Sequence, residues 1–177
     1  MEKQQTIRKL TLAAMLLALG IVFGRLFLIP LPWTRGNVNL CDAAIFVSVM
    51  LLGPWYGGVI GGFTGLFLDL ISGFAQYAPF SFIAHGLEGL VAGLVMKWLP
   101  NRVGRVLGLV CGIIVMVVCY FFADSFLYNW ATGTLGLIPN TIQGLIGAVI
   151  AILFERPLRR RLNISFATRK EDKRWIF

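Results

Sequence analysis

The chain has 177 residues, of which 58% are hydrophobic and only 14% charged, with a formal net charge of +8 and a mean hydropathy of +0.80. Soluble domains hold about 45–50% apolar and about 25% charged residues, so this chain, about one domain long, has too little polar surface to cover itself in water. Its basic residues occupy short segments between and after long apolar runs, a distribution that fits membrane topology and excludes a nucleic-acid-binding face.

A helix needs about 20 mainly apolar residues to cross the hydrocarbon core. The first such run follows Lys3, Arg8 and Lys9 and predicts a helix over 10–30. Its start could pass for a secretory signal peptide, but a protein of several spans needs none cleaved, and we read the run as the first membrane helix. Ala14 and Ala18, with Ala13 beside them, form a small-xxx-small pair on it. The stretch between Asp42 and Asp69 carries no charge and fits either one long helix or two short ones broken at Gly53-Pro54. Further apolar runs predict helices over 80–98, 106–128 and 136–155, followed by a basic tail over 156–177 with Trp175 and Phe177 near its end.

Charge decides how often the middle stretch crosses. Lys and Arg collect on the cytoplasmic side of membrane proteins. If residues 42–69 cross twice, the N-terminal, middle (Lys97, Arg102, Arg105) and C-terminal basic groups share one face, and only Arg25 and Arg35 lie outside. If they cross once, the middle and C-terminal groups both fall outside. The sequence therefore predicts an all-α integral membrane protein, a single membrane domain of six transmembrane helices with both termini cytoplasmic. The second and third helices are 42–54 and 57–73, and the tail is read as solvated on the cytoplasmic side.

Glycines recur every fourth residue at Gly53, Gly57, Gly61 and Gly65, at Gly20 and Gly24, at Gly89 and Gly93, and at Gly104, Gly108 and Gly112. That spacing keeps small residues on one helix face, where backbones can approach closely. Cys41, Cys111 and Cys119 show no metal-ligand spacing. Cys111 and Cys119 lie about 12 Å apart along one helix, too far to bridge each other. All three are read as packing residues.

Ionisable groups inside apolar runs are more informative, because a charge at the bilayer centre costs at least about 2.5–3.5 kcal/mol. The candidates are Asp69, His85, Glu88 and Asp124. His85 and Glu88, three apart, share one side of their helix. Asp124, Asn140 and Gln143 fall at comparable depths on the next two helices. These residues are expected to form a polar pocket open to the outside, lined by Phe121, Tyr128 and Trp130 and suited to a small polar heteroaromatic compound; the alternative is a set of interhelical hydrogen bonds that orients the bundle. Asp69 is expected to pair with Arg25. The chain lacks a GxxxxGK[ST] loop, a GxSxG elbow and an HExxH pair, so the energy for any active transport must come from an ion gradient or another subunit. A secondary transporter would use the same acids as a proton path, and an intramembrane metalloenzyme would use His85, Glu88 and Asp124 as ligands, a poor metal signature.

The order of Asn37-Val-Asn-Leu-Cys-Asp42, Leu52-Gly-Pro-Trp-Tyr-Gly57, Asp69-Leu-Ile-Ser-Gly73, Tyr77-Ala-Pro-Phe80 and His85-Gly-Leu-Glu-Gly89 resembles the S components of energy-coupling factor (ECF) transporters. The similarity covers most of residues 10–154. It implies a six-helix S-component bundle in the bacterial plasma membrane in which the first loop, with Asn37, and helices four to six close over a vitamin from outside. It also implies a membrane T component and two ATPases as partners, no cofactor, and toppling of the S subunit to carry its ligand inward. The family's AxxxA contact with the T component maps onto Ala14 and Ala18. Fold does not choose the ligand, but pocket candidates rich in acids and amides and poor in cations favour a neutral or weakly basic hydroxylated ring, of the pyridoxine or hydroxymethylpyrimidine type, over a polyanion such as folate.

Thiol labelling or reporter fusions should place residues 97–105 and the C-terminal tail in the cytoplasm and residues 34–37 outside. Finding 97–105 outside would remove the six-crossing topology.

Overall fold

The computed structural model describes residues 2–34 and 36–162. Six helices follow in chain order: α1 (Glu2–Leu26), α2 (Cys41–Leu52), α3 (Pro54–Ser72), α4 (Ala78–Trp98), α5 (Arg102–Leu127) and α6 (Trp130–Leu162), with strands β1 (Ile29–Leu31) and β2 (Gly36–Val38) between the first two helices.

The strands correct the expected helix over 10–30. The first helix ends at Leu26, and the apolar residues after it form an antiparallel hairpin that pairs Ile29 with Val38, Pro30 with Asn37 and Leu31 with Gly36. Hydropathy cannot tell an apolar strand from the last turn of an apolar helix. Pro30 can, since it lacks the amide that a helix interior needs and fits an edge strand. The last helix is also longer than the expected 136–155: it takes in Arg156 and Arg159–Arg161, so the start of the basic tail is helical. Residues 163–177, with Trp175 and Phe177, lie outside the described residues, as does Arg35.

The helix α2 has 12 residues, about 18 Å at 1.5 Å per residue, well short of a hydrocarbon core of about 30 Å. It can be short because it lies inside the bundle. It packs against α1, α3, α4 and α6, and nearly every residue from Cys41 to Leu51 is buried. Large apolar side chains such as Leu10, Met15, Val106 and Leu153 stay exposed around it, as a lipid-facing surface requires.

The closest backbone contact is between α3 and α4. Gly53, at φ 90°, makes the tight turn from α2, and Pro54 opens α3 without needing an amide donor. From there the α3 glycines lie directly on α4: a methyl group at Gly58 would meet Gly86 O at 3.2 Å, one at Gly65 would meet Ser81 O at 2.7 Å, and one at Gly61 would collide with His85 O. Gly108 and Gly112 bring α5 onto Ala92 of α4 in the same way, and Gly20 and Gly24 seat α1 on Thr64 and Leu68 of α3.

Polar contacts gather the basic segments at one end. Arg8 donates to Leu162 O at 3.3 Å, and Arg159 donates to Met50 O at 2.6 Å. Glu155, buried, pairs with Arg159 at 2.8 Å and with Arg105 at 3.5 Å. The start of α1, the end of α2, the start of α5 and the end of α6 thus meet at the end expected on the cytoplasmic side.

Gly61→Ala should lower the thermal unfolding temperature of the detergent-solubilised protein, since overpacking costs about 1–3 kcal/mol. Gly86→Ala, whose methyl group would meet its nearest atom at 3.5 Å, should be neutral or slightly stabilising, because alanine has the higher helix propensity. Equal melting of the two variants would contradict the α3–α4 contact.

Candidate functional site

A cavity opens at the end opposite the basic cluster. The hairpin and its exit contribute Leu31, Thr34, Gly36, Asn37 and Asn39. Asp69 comes from α3, Ser81 and His85 from α4 with Tyr77 at its N-cap, Tyr120 and Asp124 from α5, and Gly136, Asn140 and Gln143 from α6. No Lys or Arg lies among these lining residues.

Two sets of hydrogen bonds hold the walls together. On one side, the Tyr77 hydroxyl lies 2.6 Å from Asp124 Oδ1 and 3.1 Å from Thr34 O, which ties the hairpin loop to α4 and α5. Gly136 faces Asp124, and a methyl group there would sit 2.6 Å from Asp124 Oδ2. On the other side, Gln143 accepts from the Asn39 amide at 2.8 Å and donates to Asp42 Oδ1 at 3.3 Å, while Asn39 Oδ1 accepts from the Cys41 amide at 2.9 Å and so satisfies the first amide of α2.

A hydrogen-bonded cluster runs from the cavity wall into the bundle, with Asp42 and Glu88 fully buried at its inner end. His85 Nδ1 is 2.8 Å from Glu88 Oε2 and 3.3 Å from Asp42 Oδ1. On the other side of the ring, Nε2 is 3.1 Å from the Tyr120 hydroxyl. Tyr120 is 2.7 Å from Ser81 Oγ, and Ser81 donates to Asp69 Oδ2. Asp42 Oδ2 and Glu88 Oε1 have no hydrogen-bond partner.

Of the residues expected at the site, His85, Asp124, Asn140, Gln143 and Asn37 line the cavity. Glu88, fully buried, lies behind His85 rather than on the wall. Phe121, Tyr128 and Trp130 are not among the lining residues: Phe121 packs on Phe122 and Trp130, Trp130 is 66% exposed, and Tyr128 lies behind the lining Tyr77, against its ring. Tyr120 and Asp124, four apart, define the inward face of α5, and Phe121 sits about 100° off it. The expected Asp69–Arg25 pair is not formed; Asp69 is held by Ser81, and Arg25 is exposed. Cys41, read as packing, touches polar atoms instead, with Sγ 3.4 Å from Asp42 Oδ1 and 3.7 Å from His85 Nε2.

Sequence reasoning missed Asp42, Tyr77, Ser81 and Tyr120. Asp42 looks like an ordinary first-turn acid, whereas Ser81, His85 and Glu88 follow the spacing of one helix face, a signal that could have been read. Cys41, Asp42 and His85 offer ligand atoms within 4.8 Å of one another, a spacing a metal ion could bridge. Both ring nitrogens of His85 are already engaged, however, by Glu88 and Tyr120. Asp124 takes no part in the group. The cluster is therefore a hydrogen-bonded one, and the cavity presents carboxylates, amides and hydroxyls along its wall.

Residues 4–160 match the family described as the ECF-type riboflavin transporter, S component. A thiamine precursor transporter, HmpT, of Lactococcus lactis subsp. cremoris (strain MG1363) is 39% identical over 168 residues, 94% of this chain and 96% of that protein. Among solved structures, the S component of a bacterial ECF transporter superposes with a TM-score of 0.72 at 22% identity, covering 89% of this chain and 98% of its own. The S component for biotin from an ECF-type ABC transporter superposes equally, with a TM-score of 0.72 at 26% identity over 90% and 95% of the two chains.

Proposed function

The chain belongs to the ECF S-component family, the vitamin-binding subunits of multi-pass membrane importers, and on that premise we propose that it captures a thiamine precursor of the hydroxymethylpyrimidine class. The ligand enters from outside, and a membrane T component with two ATPases drives its passage inward. The chain itself is a transport subunit and not an enzyme.

The observation that carries the ligand assignment is the presence of two carboxylates, Asp69 and Asp124, on a cavity wall that has no Lys or Arg among its described residues. An aminopyrimidine presents an amino group beside a weakly basic ring nitrogen, a donor pair that a carboxylate can accept in a forked, charge-assisted bond. Its hydroxymethyl group suits the amides of Asn37, Asn140 and Gln143. The 39% identity to the thiamine precursor transporter favours the same ligand class. The carboxylates support an aminopyrimidine over pyridoxine.

Ala14 and Ala18 support the docking reading. Both are exposed on α1, where they leave a smooth strip that a helix of the T component can approach closely.

Calorimetric titration of the purified protein should show saturable binding of hydroxymethylpyrimidine and none of pyridoxine or riboflavin; saturation by riboflavin alone would overturn the assignment. Asp124→Ala should weaken binding about ten- to a hundredfold, matching the roughly 1.5–3 kcal/mol of a hydrogen bond to a charged group.

Ala14→Trp or Ala18→Trp should abolish ATP-dependent uptake and association with the T component while the isolated subunit still binds ligand. Normal uptake by both variants would refute the docking surface, and uptake without any ATPase would favour a secondary transporter.

A further inference from the structure

Hydrogen counting along one wall of the cavity leads to a role for side chains that do not reach it. Asp69, Ser81, Tyr120 and His85 are joined in series by three hydrogen bonds: Ser81 to Asp69 Oδ2, Ser81 to Tyr120 at 2.7 Å, and Tyr120 to His85 Nε2 at 3.1 Å. Each bond needs one hydrogen, and the two hydroxyls supply one apiece. The third must come from an end of the series, as a carboxyl hydrogen on Asp69 or as an N–H at His85 Nε2. The first arrangement makes Asp69 a neutral acid at the cavity wall. The second leaves it an ionised carboxylate that only accepts.

The groups around the inner end decide between them. His85 faces Asp42 and Cys41 of α2, Glu88 of its own helix and Tyr120 of α5, while Gln143 of α6 touches it only through Asp42, and Gly65 of α3 brings no charge. Two carboxylates, both fully buried and each with one oxygen unpartnered, therefore bear on one ring. With Nδ1 donating to Glu88 Oε2, a second ring hydrogen at Nε2 makes the ring an imidazolium beside these two acids and offsets negative charge where it is least solvated. The charge is moved to Asp69, which borders the cavity and is reached by the Asn37 side chain.

We propose that the buried Asp42–His85–Glu88 cluster holds the third hydrogen at His85 Nε2, orienting every hydroxyl in the series toward the cavity and keeping Asp69 an ionised acceptor. Asp42 and Glu88 are then positioning residues for ligand selection: they act through His85, Tyr120 and Ser81 to make the wall select ligands that present N–H donors to Asp69. The selection rests on the aminopyrimidine reading of the cavity, whereas the hydrogen assignment does not.

His85 is the only histidine in the chain, so ¹⁵N-histidine labelling gives a single pair of ring signals that report each nitrogen's protonation. In the ligand-free protein Nε2 should resonate in the protonated range; a non-protonated Nε2 would overturn the proposal. Glu88→Gln, checked for folding by its melting temperature, should then weaken binding of hydroxymethylpyrimidine by roughly tenfold or more and leave binding of the same ring without its amino group nearly unchanged. An equal loss for both ligands would reduce Glu88 to a structural role and refute the selection. A protonated Nε2 in a protein that binds no aminopyrimidine would sink the ligand assignment and leave the hydrogen assignment standing.

Discussion

The backbone approach of α3 to α4 is the constraint on which the rest of the molecule depends. Without a hydrophobic effect to press helices together in lipid, association rests on van der Waals contact and interhelical hydrogen bonds, and both improve with proximity. Gly61 and Gly65 let α3 lie against the carbonyls of His85 and Ser81. That contact brings Asp69 within reach of Ser81, and it presses the His85 ring toward α2 and α5, where Asp42 and Tyr120 meet it. The packing motif and the cavity wall are two sides of the same pair of helices.

A second dependence runs through α2. A membrane helix is normally long enough to satisfy lipid on both sides, and this one is not. Because α1, α3, α4 and α6 surround it, its neighbours are protein throughout, and a carboxylate at its first turn finds partners in Gln143 and His85 instead of hydrocarbon. Asp42 is tolerable where it is because α2 is buried, and the first amide of α2 is taken up by Asn39. The hairpin that carries Asn39 is in turn tied down by Tyr77 through Thr34.

The sequence revealed the bundle better than the wall of its cavity. Six helices, their approximate limits and the glycine faces follow from hydropathy, charge and spacing, all of which act along the chain. His85, Asp124, Asn140 and Gln143 stood out because polar groups in apolar runs are costly. What stayed hidden depends on rotation about a helix axis or on contacts across helices. Phe121 and Asp124 are three residues apart, yet one looks away and the other inward, and composition does not say which. Tyr120 and Ser81 are ordinary in sequence and matter only because Asp69 and His85 lie at either end of them. The hairpin was concealed by its own hydrophobicity, with Pro30 its one visible sign.

The length of α6 has a consequence for how the protein sits in its membrane. Its 33 residues span about 50 Å, some 20 Å more than the hydrocarbon core, and the surplus carries Arg156, Arg160 and Arg161, all exposed. Arg159, between them, is engaged by Glu155 and by the end of α2, so the projecting segment is rigidly joined to the body. Exposed arginines resist being drawn into hydrocarbon. They act as a waterline, since drawing them below the headgroups would put charge into hydrocarbon.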